Sequence, residues 1–325
     1  MNKTITKLLA IGLTAAVLMS GCSDSGSDTD NDNGSGSVSD SGSVMDPADS
    51  NGSGSDTASD SKYGSIKTVE SPAGFTGNTG DVSIESGDTY AVITVRDFGS
   101  ITVKLFPEAA PEGVQNFIDL ADSGYYTDRE IHRVVADFML QGGSRNGDGL
   151  STPEDPSFSV EYNANMRHFY GALCYANAGG VNGSQFYIVN RKSYKSVSEA
   201  DLQSNVDYYE GQIELAKTYL AEAESDEERE YYESVITYIE SPAATARSQL
   251  RALQEMTEEM EAKYKEVGGY QFLDGGYTVF GQTVDGFDVI DAISAVKVEQ
   301  QSGMDEISHP VEKIVIESVE IFTAE

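Results

Sequence analysis

Between residues 89 and 105 apolar and polar positions alternate. TYAVITV and GSITVKLF place β-branched and aromatic residues on either side of a turn at Asp97–Gly99, which predicts a β-hairpin. The period then changes. In PEAAPEGVQNFIDLADSGYY, Val114, Phe117, Ile118 and Ala121 recur at helical spacing, Pro111 sits near the start and Gly124 stops the run. Short β-type runs follow in IHRVV, DFMLQGG, GALCYANA and SQFYIVN. Beyond residue 270 come YTVFGQTV, a short helix in DGFDVIDAI and a last strand in VEKIVIESVEIF. Many strands with two helices predict a mainly β fold: a closed barrel of about eight antiparallel strands capped by two helices.

One segment breaks this texture. From residue 192 to 267 the pattern is helical, with Leu202, Val206, Tyr209, Ile213, Ala216, Leu220 and Ala223 stepping by four and three. Ala246, Leu250, Leu253, Thr257, Met260, Tyr264 and Val267 do the same. Both are heptad seams of the coiled-coil kind. Ser225, followed by acids, is an expected N-cap, and Ser241–Pro242 is expected to restart or kink the second arm. Both ends must return to neighbouring points, so an antiparallel helical hairpin broken at Pro242 is the expectation. Eight tyrosines (194, 208, 209, 219, 231, 232, 238 and 264) are more than two helices can hide. They point to an arm that holds unfolded chains, against the plainer reading of a solvated acidic hairpin.

The N-terminus carries a different pattern. MNKTITK supplies Lys3 and Lys7, LLAIGLTAAVLM is a short apolar run, and Ser20 and Gly21 precede Cys22. That order is the secretory pattern, and the run is too short for a comfortable span. A cysteine after small residues resembles a bacterial lipoprotein signal, which implies a signal peptide over 1–21 and a lipidated, palmitate-bearing Cys22; an uncleaved anchor is the alternative. Residues 22–61 are almost entirely Ser, Gly, Asp and Asn, a composition that cannot offset its conformational entropy. The expected organisation is a signal (1–21), a disordered linker (22–61), an N-terminal extension (62–89), a β domain in two parts (90–191 and 268–325) and the helical insert (192–267). The chain is expected on the outer face of the cell membrane, held by lipid.

Composition narrows the chemistry. A formal charge of -33 argues against nucleic acid as a partner. Two cysteines, Cys22 and Cys174, make no disulfide framework, and His132, His168 and His309 have no ligand-like spacing, so neither a metal nor any other cofactor is expected. Cys174 reads as a small buried hydrophobe. His132 reads as a structural hydrogen-bonding residue.

Three motifs remain: IHRVVADFMLQGGS, YANAGGVNGSQFYIV and FLDGGYTVFGQTVDGFDVID. In this order they resemble the FHRV…FMxQGGD, MANAG…NGSQFFI and WLDGKHVVFG signatures of the cyclophilin peptidyl-prolyl isomerases, from about Tyr90 to Ile321. The resemblance implies catalysis of X–Pro rotation, a rotamase reaction, in unfolded exported polypeptides. It implies Arg133 as the catalyst. Phe138, Met139, Tyr187 and Leu273 match the proline pocket, Gln141 orients the substrate backbone, and Ala176, Asn177 and Gln185 line the peptide groove. Tyr187, Phe272 and Tyr277 stand where the family usually has Phe, Trp and, often, His. The loop at Gly179–Val181 is one residue short. A competing reading is a proline-peptide binding, chaperone or scaffold module that works through the insert with little isomerase activity. Either way the expected partners are proline-containing chains and the membrane, with the protein acting as a monomer.

Overall fold

A computed structural model describes residues 65–80, 82–152, 154–300 and 306–325. The signal peptide, Cys22 and the 22–61 linker lie outside the described residues. The strands are β1 (Ile66–Thr68), β2 (Thr89–Val95), β3 (Gly99–Leu105), β4 (Ile131–Val135), β5 (Met139–Gly142) and β6 (Phe158–Tyr162), then β7 (Ala172–Ala178), β8 (Val181–Val189), β9 (Val279–Asp285), β10 (Val298–Gln300), β11 (Ile307–Pro310) and β12 (Ile316–Thr323). The helices are α1 (Pro111–Asp122), α2 (Glu199–Ala221), α3 (Asp226–Gln254), α4 (Glu258–Val267) and α5 (Phe287–Ser294).

The β2–β3 hairpin follows its alternation. Ala91, Ile93, Val95, Ile101, Val103 and Leu105 all point into the core, with Ile93 opposite Ile101 and Ala91 opposite Val103. Asp97 takes the left-handed conformation at the turn, φ 67°. Helix α1 begins with Pro at its first turn and buries Val114, Phe117 and Ala121. The Phe117 ring meets Tyr126, Phe186 and Phe280 at centroid distances of 5.1, 5.7 and 5.2 Å. Ala110 offers no side-chain cap. Glu161 of β6 serves instead, its carboxylate accepting from Gly113 N at 2.8 Å and Glu112 N at 3.2 Å. An anion there matches the positive end of the helix.

Ten strands form one mixed sheet in the order β1-β6-β8-β7-β9-β3-β2-β12, with β5 pairing β8 and β4 pairing β5 off that path. The expected closed antiparallel barrel is corrected on two counts. Among the described residues the path ends at β1 and β12, and β1 joins β6 in parallel. Strand β8 causes the fork: Val181 and Asn182 pair with β6, whereas Phe186–Val189 pair with β5. Residues 66–80, read from sequence as part of an extension, therefore belong to the folded unit: Asn78 is buried and bonds Arg167 and Gln282.

The insert is three helices. Ser198, Ser225 and Thr257 cap α2, α3 and α4 through their hydroxyls. Contacts of Glu199 with Gln254, Glu210 with Arg247 and Tyr219 with Tyr232 show that α2 and α3 run antiparallel. At 1.5 Å per residue α3 is about 43 Å long. It passes through Pro242 unbroken, contrary to expectation. A proline inside a helix costs about 3 kcal/mol, and burial of Ile239, Ala243, Ala246 and Leu250 around it outweighs that cost. The break falls instead at 255–257, where Tyr162 Oη donates to the Glu255 carboxylate at 2.5 Å and Thr257 starts α4. The second heptad seam therefore spans two helices, with Thr257 exposed at the junction. Most of the tyrosines are packed, through stacks such as Tyr219–Tyr232 and Tyr194–Tyr264; Tyr208 and Tyr238 are the exposed members of the eight.

Candidate active site

Strand register assembles the predicted residues. Arg133 of β4 lies opposite Gln141 of β5, Gln141 lies opposite Tyr187 of β8, and Tyr187 lies opposite Cys174 of β7. Arg133 Nη1 donates to Gln141 Oε1 at 3.2 Å, Gln141 Nε2 to Gln185 Oε1 at 3.0 Å, and Gln185 Nε2 to Gly149 O at 2.9 Å. This file links the guanidinium through two side-chain amides to the backbone at Gly149. Its carbon sits 5.7 Å from the Phe138 ring centroid, a cation–π placement.

Beside it lies an apolar cluster. Met139, Cys174, Tyr187 and Leu273 are buried in it, and Phe138, Ala176, Phe272 and Tyr277 pack against it partly exposed. The rings of Tyr187 and Tyr277 meet edge-on at 5.9 Å, and Phe138 packs on Tyr270 at 4.9 Å. Asn177 follows a β-bulge in β7 and donates through Nδ2 to Gly276 O at 3.1 Å, tying the groove edge to the 275–276 turn. The ten predicted pocket and groove residues thus lie with Arg133 in one neighbourhood built by β4, the turn into β5, β5, β7, β8 and the 272–277 segment. The Cys174 thiol, fully buried, is pushed well up in pKa by desolvation.

His132 departs from expectation. It is buried, and neither ring nitrogen has a hydrogen-bond partner among the described residues. Burial, helped by the neighbouring Arg133 charge, lowers its pKa to about 4, so the ring is neutral and is not the structural hydrogen-bonding residue expected.

The hydroxyl of Tyr187, a polar group inside this apolar cluster, is accounted for by a network the sequence did not reveal. It bonds His168 Nε2 at 2.9 Å, and His168 Nδ1 bonds Asp274 Oδ1 at 2.8 Å. With Nδ1–H held by the carboxylate, Nε2 accepts from the phenol. Asp274 also accepts from His168 N at 2.9 Å and from the Tyr264 hydroxyl at 2.8 Å. Arg167, fully buried, stands 3.5 Å from Asp274 and donates to Ala252 O at 2.8 Å. Tyr264 lies on α4 and Ala252 on α3, so the base of the insert is wired through Asp274 and His168 to Tyr187.

The insert also forms a wall. Phe272 packs on Leu202, Val206, Ala246 and Leu250, and its carbonyl accepts from Gln249 Nε2 at 2.7 Å. Gly275 has φ +82°, and a Cβ there would meet Ser248 O at 2.4 Å, so only glycine lets α3 sit this close.

Residues 90–208 and 263–321 match the family described as cyclophilin type peptidyl-prolyl cis-trans isomerase/CLD. The chain belongs to this family. A Staphylococcus haemolyticus protein with an inferred peptidyl-prolyl cis-trans isomerase assignment is 32% identical over 226 residues, covering 69% of this chain and 86% of its own. A Staphylococcus saprophyticus protein with the same assignment is 31% identical over 240 residues, covering 73% and 93%. A longer Streptococcus pyogenes protein, assigned by inference as a bifunctional phosphatase/peptidyl-prolyl cis-trans isomerase, is 31% identical over 236 residues. The alignment spans 71% of this chain but only 38% of that protein. Among solved structures, a Cryptosporidium parvum cyclophilin-type isomerase aligns with TM-score 0.44 and 18% identity over 73% of this chain and 99% of its own. The enzymatic class of this cyclophilin is peptidyl-prolyl cis-trans isomerase.

Proposed function

We propose that Arg133 catalyses X–Pro rotation electrostatically in unfolded polypeptides outside the cytoplasmic membrane. Rotation about the amide meets a barrier of about 18–20 kcal/mol because conjugation is lost at the twisted geometry. The proline nitrogen then regains a lone pair. A fixed cationic donor stabilises that form more than either planar ground state, and only such differential binding accelerates the step. Arginine suits this role, since it stays charged and its fork serves a nitrogen and a carbonyl together. Phe138, Met139, Tyr187 and Leu273 seat the proline ring, Gln141 and Gln185 hold the guanidinium and the substrate backbone, and Ala176 and Asn177 flank the peptide. No proton needs to move, which is consistent with a neutral, buried His132. The exported, membrane-held location rests on the pattern at residues 1–22, with Cys22 as the lipid-bearing residue.

The observation that carries this reading is the Arg133 guanidinium fixed by Gln141 over the Phe138 ring. Exchange spectroscopy on a proline peptide separates enzyme from mere receptor. The wild type should produce cis–trans exchange, whereas Arg133→Ala should keep the pocket's shift perturbations and lose the exchange. Equal exchange in both proteins would remove Arg133 from the mechanism.

A further inference from the structure

In the structure the guanidinium of Arg133 is already engaged. Its Nε donates to Glu306 Oε2 at 2.5 Å and its Nη2 to Glu306 Oε1 at 2.8 Å, a two-pronged carboxylate pairing. Nη1 is held by Gln141 at 3.2 Å, with Met139 Sδ at 3.8 Å. Every nitrogen of the proposed catalyst therefore has a partner before substrate arrives. Glu306 leads into β11, which His309 Nδ1 pins to His132 O at 3.1 Å, so the carboxylate is presented to Arg133 by the fold. The arrangement neutralises the cation. It also offers Arg133 a charged acceptor stronger than the carbonyl or the twisted amide nitrogen of a substrate.

We infer that Glu306 is a specificity-determining residue: substrate must displace its carboxylate from Arg133, and chains with Lys or Arg next to the proline do so best. The inference rests on the catalytic reading of Arg133. When a substrate carbonyl takes Nη2, Glu306 keeps only its hydrogen bond to Nε, and its other oxygen loses its partner. Water replaces that bond poorly, whereas a substrate ammonium or guanidinium replaces it with a charged donor and pairs with Glu306. A substrate with an acidic flank sets a second carboxylate against Glu306 and is disfavoured. Glu306 is 42% exposed and Arg133 21%, so the pair lies at the mouth of the site, within reach of substrate side chains and of salt.

The test compares kcat/KM for matched tetrapeptides, one neutral and one with Lys beside the proline, using the wild-type chain, Glu306→Gln and Arg133→Ala. The wild type should prefer the Lys peptide by about threefold or more. Glu306→Gln should raise turnover of the neutral peptide by about threefold or more and abolish the preference. Raising salt from about 0.05 to about 0.5 M should accelerate the neutral reaction in the wild type and not in Glu306→Gln. A Glu306→Gln protein with unchanged or lower neutral turnover and an unchanged preference overturns the inference. Arg133→Ala shows where a failure lies: if it has lost turnover, the fault is confined to Glu306, and if it has not, the catalytic reading itself fails.

Discussion

Replacing Asp274 by Asn should unfold the enzyme more readily than almost any other single-atom change. The carboxylate is buried, holds both Nδ1 and the backbone N–H of His168, and accepts from Tyr264 at 2.8 Å. It is also the carboxylate in ion-pair range of Arg167, which has no solvent exposure and whose Nε and Nη2 lack partners among the described residues. The 3.5 Å gap makes that attraction mainly Coulombic. An amide keeps the shape, yet it leaves a buried cation with one helix carbonyl, Ala252 O, as its recorded hydrogen-bond acceptor. Removing one partner of a buried pair costs about 3–5 kcal/mol, a large share of a total stability of about 5–15 kcal/mol. With a urea m-value of about 3 kcal/mol/M for a chain this long, the unfolding midpoint should fall by about 1–1.7 M. Tyr264→Phe, which deletes one hydrogen bond to the same carboxylate, should cost about 1.5–3 kcal/mol. The double variant should lose less than the sum, because both act on one hub. Urea melts followed by circular dichroism decide the matter. A loss below about 1 kcal/mol in Asp274→Asn would show that the network does not hold the insert to the pocket.

Three further outcomes can be checked. His132 is neutral in the folded state down to a pKa of about 4, against an ordinary value near 6.5, so the unfolded chain binds the extra proton in between. Stability should therefore fall as pH drops from about 6.5 to about 4, by up to about 3 kcal/mol, and His132→Gln should remove that part of the slope; identical slopes refute it. Replacing residues 216–236 by a short Gly–Ser link removes only the hairpin tip and should leave tetrapeptide turnover within about twofold, whereas replacing 195–266 removes Ala252 and Tyr264 and should lower it by about tenfold or more. Unchanged turnover after the larger excision would show that the insert does not brace the site. For the membrane reading, Cys22→Ser should yield an unprocessed or released protein in fractionation, and a processed variant still fully membrane-bound would contradict lipidation at Cys22.

Local signals account for what was legible in the sequence. The β2–β3 hairpin, α1 with Pro111, and the cap at Ser225 each depend on neighbours within a few residues, and the structure has them where the pattern predicts. Long-range pairing was not legible. Strand β1 finds β6 in parallel across more than ninety residues, and nothing in IKT or FSVEY announces the partner. The fork at β8 depends on how one long strand divides its two ends. Pro242 misled because local cost was read without the burial that offsets it. The site shows the same divide. Arg133, Gln141 and Tyr187 lie in motifs that strand register brings together, whereas Glu306 and Tyr264 reach the site from a distant ribbon and from the insert, without a motif to mark them.

The central claim is that the guanidinium of Arg133 lowers the barrier to proline rotation. Its most direct test is kcat/KM for a neutral tetrapeptide with the wild type, Arg133→Lys and Arg133→Ala, each shown to be folded by near-ultraviolet circular dichroism. Arg133→Ala should fall by at least about tenfold, equivalent to about 1.4 kcal/mol of barrier. The loss should lie mainly in kcat, because the apolar residues proposed to seat the proline ring are untouched. Arg133→Lys should recover only part of it, since an ammonium keeps the charge and loses the fork. Turnover of Arg133→Ala within about twofold of wild type would contradict the account.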